Sequence, residues 1–275
     1  MTRIYGVIGY PVSHSRSPAM HTAAFEALEL DALYTSFTIP PKQLRLVLRG
    51  LVACGIDGFN VTIPHKEAIM PLLDRCDPDA KALGAVNTVV VRGGKMIGYN
   101  TDAAGFTRAL QELGQRPRPR AAVILGAGGA ARAVAWALSR APRTRLTIAN
   151  RHVDRARQLA RWLARYRPHL SVRVQSLRRV SLADHDLLVN ATSVGMRAGD
   201  PSPVDLTGCP KTLLVYDLVY NRVTPLVRQA RQRGCVAENG LAMLLYQGAE
   251  AFRLWTKRQP PIEAMRRVLE TVHRP

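Results

Sequence analysis

Cysteine is scarce in this chain: four stand among 275 residues, at Cys54, Cys76, Cys209 and Cys235, and no two form a CxxC pair. That spacing offers neither a disulfide framework nor a zinc site, so free thiols are expected. The seven histidines show no HExxH or HxxxH pattern, and no metal is implied. Long apolar runs are missing too. Stretches such as Val86 to Val91 and Ala121 to Leu125 are far shorter than the ~20 residues that a membrane-spanning helix needs. The N-terminal segment meets Gly9 and Pro11 before an apolar stretch of useful length has built up. It does not read as a signal peptide, and a cytoplasmic location is expected. Acid is short relative to base: 20 Asp and Glu against 39 Lys and Arg leave a formal net charge of +19. An excess of that size raises the question of a nucleic-acid partner. The arginines, however, are spread along the chain, densest at Arg116 to Arg120 and Arg151 to Arg167, with no basic tail block and no interleaved stacking aromatics. This pattern reads as a solvated surface that attracts small anionic ligands, with no nucleic-acid and no membrane partner.

What is present is ordinary globular material: 47% hydrophobic and 21% charged residues, in a length that suffices for two modest domains. Residues 1–100 alternate strand-like runs with helical stretches. Ile4 to Gly9, Ala32 to Ile39 and Gly58 to Pro64 read as strands. Ser17-Pro18 reads as an N-cap with proline at N1, Pro41 to Ala53 as a second helix, and a third follows Pro64. AVNTVVV and MIGYNT flank Arg92-Gly93-Gly94-Lys95, a hairpin signal. A Pro/Arg linker beginning at residue 117 leads into the strand AAVIL. LTIAN, SVRVQ, LLVN and LLVYDL then recur between helical stretches, the alternation of a doubly wound parallel sheet. From about Asn239 apolar residues follow a helical period through Trp255, and Pro260-Pro261 open a last helix.

The chemistry concentrates at strand ends. Gly126-Ala127-Gly128-Gly129-Ala130-Ala131 follows AAVIL and opens a helical run, in the GxGxxA pattern of a dinucleotide site. Its first glycine makes the tight turn, the second admits a pyrophosphate, and the small residue permits close helix packing. The bland alternative is a glycine-rich turn with no ligand. At the end of the next strand an NAD site would place a carboxylate on the ribose 2′-hydroxyl. Here Asn150-Arg151 stand instead, with Arg155 one turn on, which suits the 2′-phosphate of NADP. In the N-terminal half, Ser13 to Ser17, Asn60 to Lys66, Asn87-Thr88 and Asn100 to Asp102 each follow an apolar strand. Hydroxyls and amides suit a polyhydroxylated substrate, and Lys66 with Asp102 are the pair in these stretches able to exchange protons and carry opposite charges. Ser15 and Ser17 are read as i, i+2 positions of an extended segment, pointing to one side. Taken singly, each cluster has a plain structural reading: Ser17 and Asp102 as helix N-caps, Thr62 as a strand residue, Lys66 as a solvated amine.

In chain order, GVIGYPVSHSRSP, GFNVTIPHK, GAVNT, GYNTDAAGF, GAGGAARA, NR followed by Arg155, NATSVGM, YDLVYN and NGLAMLLYQGAEAFRLW together resemble the shikimate dehydrogenase family. The resemblance implies an α/β fold of two domains. A substrate-binding domain would comprise residues 1–102 with 240–275, the C-terminal helices packing back on it, and a Rossmann-type NADP-binding domain would comprise residues 103–239. It implies that Ser15 and Ser17 bind the substrate carboxylate. Thr62, Lys66, Asn87, Asp102 and Gln247 would surround the ring hydroxyls, with Lys66 and Asp102 as the catalytic pair and Tyr220 near the substrate on the cofactor side. Gly126, Gly128, Gly129 and Ala130 would hold the pyrophosphate. Asn150, Arg151 and Arg155 would read the adenosine phosphate, and Thr192, Ser193 and Met243 would line the nicotinamide end. The implied reaction is reversible NADPH-dependent reduction of 3-dehydroshikimate to shikimate, with no metal, by a monomer or homodimer. Lys66 would either pass the proton or stabilise the developing charge.

His152 stands where the family usually has threonine, and Arg222 where it usually has proline. Two rival readings are an NAD-dependent quinate dehydrogenase and a non-catalytic NADP-binding or nucleic-acid-associated protein on the same fold. The second serine and the Arg151 and Arg155 pair weigh against the former, and intact Lys66 and Asp102 against the latter.

Overall fold

A computed structural model of the chain describes residues 2–113, 119–141 and 143–271; residues 117 and 118 of the expected linker lie outside them. The chain divides into two compact units, residues 1–101 with 245–275, and residues 102–244.

The first unit opens with β1 (Arg3–Gly9), α1 (Ser17–Ala27), β2 (Ala32–Thr38), α2 (Leu44–Ala53), β3 (Gly58–Val61), α3 (His65–Ala68), β4 (Arg75–Cys76), α4 (Pro78–Leu83), β5 (Thr88–Arg92) and β6 (Lys95–Tyr99). Its strands form one sheet in the order β2-β1-β3-β5-β6-β4. β1 pairs in parallel with β2 and β3, whereas β5 runs antiparallel to both β3 and β6. The β5–β6 hairpin closes at Arg92 and Lys95 around Gly93-Gly94. Two local expectations need correction. Pro41 to Gln43 is a 3-10 turn leading into α2, not part of it. Ser17 is the first helical residue of α1, not its N-cap: Arg16 occupies that place without a side-chain cap, and the Ser17 N–H donates to Ser15 Oγ at 3.3 Å.

The second unit contains α5 (Asp102–Glu112), β7 (Ala121–Leu125), α6 (Gly129–Leu138), β8 (Arg145–Asn150), α7 (Val153–Tyr166), β9 (Ser171–Ser176), β10 (Leu187–Asn190), β11 (Leu214–Asp217), α8 (Pro225–Gln232) and β12 (Ala237–Asn239). All its strand pairs are parallel, in the order β12-β11-β10-β7-β8-β9. β7 and β10 are buried along their whole length, as central strands of a parallel sheet are, β10 ending on the buried polar Asn190. The strand order reverses between β7 and β10, and open sheets of this kind bind ligands at that switch point.

α7 turns Ala156, Leu159 and Leu163 inward and Arg155, Arg157, Arg161 and Arg165 to solvent. Here the expectation of no interleaved aromatics fails. Helical spacing puts Trp162 and Tyr166 on one face, where both pack against Trp136 of α6, at ring distances of 5.8 and 5.4 Å. Arg132 covers the Trp162 ring at 5.1 Å and Arg167 covers Trp136 at 4.6 Å. The four cysteines are free thiols, although packing sets the sulfurs of Cys209 and Cys235 3.9 Å apart.

α9 (Leu241–Thr256) and α10 (Ile262–Thr271) are the last elements among the described residues. Asn239 Oδ1 accepts the Leu241 N–H, and the Tyr216 hydroxyl accepts that of Met243, so two of the first amides of α9 are satisfied by side chains. The first unit resumes at Leu245. There Trp255 stacks on Tyr5 at 5.1 Å and donates its indole N–H to the Val89 carbonyl at 2.9 Å. Arg16 reaches the Leu269 carbonyl of α10 at 3.2 Å. Among the described residues no helix is long and apolar enough to cross a membrane, and no cluster of three acidic, histidine or cysteine side chains is placed to hold a metal ion.

Candidate active site and dinucleotide cradle

In the first unit, polar side chains gather past the ends of β3 and β6 and at the start of β5, because β5 runs antiparallel to both; Asn87-Thr88 therefore opens a strand and does not, as expected from sequence, follow one. Asn87 is 2% exposed, and both ends of its amide are hydrogen-bonded within the chain. Its Oδ1 accepts from the Thr101 N–H at 2.8 Å, and its Nδ2 donates to Thr101 Oγ1 at 3.0 Å and to Gln247 Oε1 at 3.3 Å. The fold therefore joins Asn87 and Gln247, 160 residues apart in sequence. Thr62 is half-buried just past β3, with its N–H on the Ile8 carbonyl. Its methyl lies where a side chain at Gly9 would stand: a Cβ there would meet Thr62 Cγ2 at 2.5 Å, so only glycine lets β1 approach so closely. Lys66, half-buried, lies in the four-residue α3, whose backbone is pinned from both sides. The buried His65 ring donates from Nε2 to the Ile39 carbonyl at 2.7 Å, and the Lys66 carbonyl accepts the Val86 N–H at 2.8 Å.

Ser15 and Ser17 are not in an extended segment. The Ser15 N–H closes a turn onto the Val12 carbonyl, and Ser17 is already helical. The turn forms because residues 12 to 16 must reverse from β1 into α1, so what relates the two serines is the Ser15 hydroxyl accepting the Ser17 amide, not strand alternation. Asp102, 9% exposed, heads α5 and belongs to the second unit, whereas Lys66 belongs to the first.

Sequence reasoning passed over His21. It is wholly buried, stacked on Tyr34 at 4.5 Å, and neither ring nitrogen has a hydrogen-bond partner among the described residues. Burial pushes its pKa down to about 3, which the nearby Asn60 amide offsets only in part. The neutral ring has a consequence for stability. The unfolded chain takes up a proton below about pH 6.5 that the folded chain refuses until about pH 3, so stability falls as pH is lowered through that window. The slope contributed is on the order of 1 kcal/mol per pH unit. Denaturant unfolding of wild type and His21→Gln between pH 7 and 4 should show that slope missing from the variant; equal slopes would mean that His21 is not held neutral.

In the second unit, Gly126 closes β7 at φ +108, and a Cβ there would meet the Ala191 carbonyl oxygen at 2.9 Å, so a side chain is excluded by both conformation and space. Gly128 and Gly129 are exposed, and a Cβ on either would project into open space. α6 begins at Gly129, so its N-terminal amides face this opening, the arrangement that receives a pyrophosphate. Ala130 is exposed in the same first turn, and Arg151 and Arg155 are exposed beyond β8, where the Asn150 amide donates to the His152 carbonyl. Across the switch point, Asn190 ends β10. Its Oδ1 accepts from the N–H and the hydroxyl of Thr192, at 3.1 and 2.7 Å, and its Nδ2 donates to Asp217 at 2.8 Å. Asp217 is fully buried at the end of β11; burial raises its pKa, against bonds from Thr224, Val219 and Asn190 that lower it. Asp217 and Asn190 thereby shape the loop that carries Thr192 and the exposed Ser193. A charged residue inside the apolar run LLVYDL was the signal for Asp217. Met243 is buried near the start of α9, and Tyr220 is half-buried after β11.

The donor set thus fits a dinucleotide with an extra phosphate: a bare backbone cradle at a helix N-terminus and guanidinium groups at the neighbouring strand end. Comparison with known proteins agrees. Family models described as the shikimate dehydrogenase substrate binding domain, shikimate / quinate 5-dehydrogenase and the shikimate 5'-dehydrogenase C-terminal domain match residues 7–89, 108–198 and 240–270. A shikimate dehydrogenase (NADP(+)) of Symbiobacterium thermophilum is 49% identical over 271 residues, covering 96% of this chain and 92% of its own. A solved shikimate dehydrogenase in complex with NADP+ matches with a TM-score of 0.94 at 42% identity, over 99% of this chain and 96% of that one. The shikimate 5-dehydrogenase of Thermus thermophilus, solved with NADP(H) and shikimate, matches at 0.89 and 38% identity, over 98% and 100%. At such identity over nearly its whole length, the chain belongs to the shikimate dehydrogenase family.

Proposed function

We propose that this protein catalyses the reversible, NADPH-dependent reduction of 3-dehydroshikimate to shikimate, a step toward aromatic amino acids. The observation that carries this reading is the 49% identity, along nearly the full chain, with a shikimate dehydrogenase (NADP(+)). The first unit acts as the substrate-binding domain and the second as the NADP-binding domain. NADP, when bound, supplies or accepts the hydride. Binding, orientation and proton transfer fall to the chain. Ser15 and Ser17 hold the carboxylate. Thr62, Asn87 and Gln247 take the ring hydroxyls, with Tyr220 near the substrate. Lys66 acts on the C3 oxygen as alkoxide character develops, delivering its proton or stabilising its charge, with Asp102 as its catalytic partner. Gly126, Gly128, Gly129 and Ala130 hold the pyrophosphate, Asn150, Arg151 and Arg155 the 2′-phosphate, and Thr192, Ser193 and Met243 the nicotinamide end.

Following nicotinamide absorbance with shikimate or quinate, and NADP or NAD, tests the reading. Shikimate with NADP is expected to turn over fastest; quinate with NAD as the better pair would overturn it. Replacing Ser15 and Ser17 together by alanine should raise KM for shikimate by about 10- to 100-fold, because hydrogen bonds to a charged group contribute roughly 1.5–3 kcal/mol before discounting for exposure. KM for NADP should stay put. An equal rise in both constants would remove the serines from the carboxylate site.

A further inference from the structure

Two of the four cysteines, 26 positions apart, meet in the second unit. Cys209 precedes β11 and Cys235 precedes β12, and their sulfurs stand 3.9 Å apart. Neither backbone is loose. The Cys235 N–H donates to the Ala230 carbonyl and that of Gly234 to the Arg231 carbonyl, each at 3.0 Å, the Schellman pattern that ends α8. The Cys209 N–H closes a turn onto the Leu206 carbonyl at 3.1 Å, and Pro210 follows it. Two anchored segments therefore bring the thiols together.

A thiol carries one hydrogen, and that of Cys235 goes to the Pro210 carbonyl, with the sulfur 3.6 Å from the oxygen. The hydrogen between the two sulfurs is then that of Cys209. Once Cys209 has lost it, a thiolate faces the Cys235 sulfur. The two thiols also differ in access: Cys235 is 5% exposed, within the core that holds Leu213, Val215 and Ala230, while Cys209 is half-buried against that core. Burial and the Cys209 thiol raise the pKa of Cys235, and the Arg233 charge opposes them. Cys209 is thus the sulfur that a reagent meets first, and Cys235 the one that closes on it.

We propose that Cys209 and Cys235 form a dithiol site that exchanges with a low-molecular-weight disulfide and closes into a reversible cross-link, tying the edge strand β12 to the segment that enters β11. In the first step the Cys209 thiolate attacks the disulfide RSSR: a bond forms between Cys209 and one sulfur, the RS–SR bond breaks, and the departing RS⁻ takes up the proton that Cys209 gave up. In the second, the Cys235 thiolate attacks Cys209 Sγ and displaces the remaining RS⁻, which takes up the proton of Cys235. The protein dithiol is oxidised by two electrons, and RSSR is reduced to two RSH. To bond, the sulfurs must close from 3.9 Å to about 2.05 Å, and Cys235 gives up its contact with the Pro210 carbonyl. The gain lies at the sheet margin, because β12 is three residues long and pairs on one side only, with β11. The closed loop includes β11 and α8, and cross-linking a loop of that length stabilises the fold by restricting the unfolded chain. Neither cysteine is among the residues assigned to substrate or cofactor.

The test treats the full chain with oxidised glutathione or with dithiothreitol, blocks the remaining thiols by alkylation, maps the peptides by mass, and measures the melting temperature of each form. A peptide pair joined through Cys209 and Cys235 is expected, together with a melting temperature about 5–10 °C higher after oxidation that dithiothreitol returns to the reduced value. Cys209→Ser should show neither the joined pair nor a difference between the two treatments. Glutathione left on the exposed Cys54 changes a peptide's mass but joins nothing, so it does not mimic the result. Cys209 and Cys235 found unjoined after oxidation, or joined to other cysteines as often as to each other, overturn the proposal. A joined pair with no rise in melting temperature overturns the tie at β12. If Cys209→Ser does not fold, the map and the reversal by dithiothreitol on the wild type decide without it.

Discussion

Truncating Lys66 to alanine is expected to lower kcat by roughly 10²- to 10⁴-fold, the range typical of losing a positioned proton donor or acceptor. The surroundings of Lys66 make this a clean measurement. The backbone of α3 is held by the His65 ring on the Ile39 carbonyl and by the Val86 N–H on the Lys66 carbonyl, and neither bond involves the lysine side chain. Removing that side chain therefore leaves both of these bonds of α3 in place. KM for shikimate should change far less than kcat, because the ring hydroxyls and carboxylate keep their other partners. The pH profile separates the two roles open to the lysine. Loss of a proton carrier removes a limb of the kcat profile, whereas loss of a stabilising charge lowers kcat evenly across pH. A variant that retains more than about a third of wild-type kcat would take Lys66 out of the chemistry.

The second large effect concerns cofactor choice. Arg151 and Arg155 stand exposed at the end of β8, where an NAD site would carry a carboxylate, and a 2′-phosphate brings about two negative charges to forked donors. Two charge-assisted contacts of about 1.5–3 kcal/mol each, discounted for exposure, favour NADP over NAD by roughly 10²- to 10⁴-fold. Replacing both arginines by alanine should collapse that ratio mainly by raising KM for NADP, with the NAD constant little altered. Because the guanidinium groups are solvent-exposed, salt should erode the wild-type preference as well, screening acting over about 8–10 Å at physiological strength. Equal use of NAD and NADP by the wild type at low salt would reduce the pair to a solvated helix face.

The aromatic cluster on α6 and α7 shows how a linear reading misjudges a surface. Trp162 and Tyr166 were in plain view among the arginines, yet their stacking depends on Trp136, which arrives from another helix. Arg132 and Arg167 already occupy two of those ring faces, so the chain uses its own cations where a nucleic-acid surface would leave the rings open. The serine pair teaches a related lesson. Spacing alone suggested two side chains on one side of a strand; a turn closed by the Ser15 N–H replaced that geometry with a different one.

Features whose parts lie within one strand, turn and helix were determined by the sequence alone. The glycine-rich turn from Gly126, the hairpin at Gly93-Gly94, the alternation of strands and helices in the second unit and the cations after β8 all follow from neighbours along the chain, because backbone conformation and periodicity are local. Only the tertiary structure decided which way the Asn87 and Gln247 amides point, that His21 is kept neutral, and that Asp217 supports the Thr192 loop. Those properties depend on burial and on hydrogen-bond partners brought from distant segments, and a side chain's charge state and orientation are fixed by what packs against it, not by what precedes it in sequence.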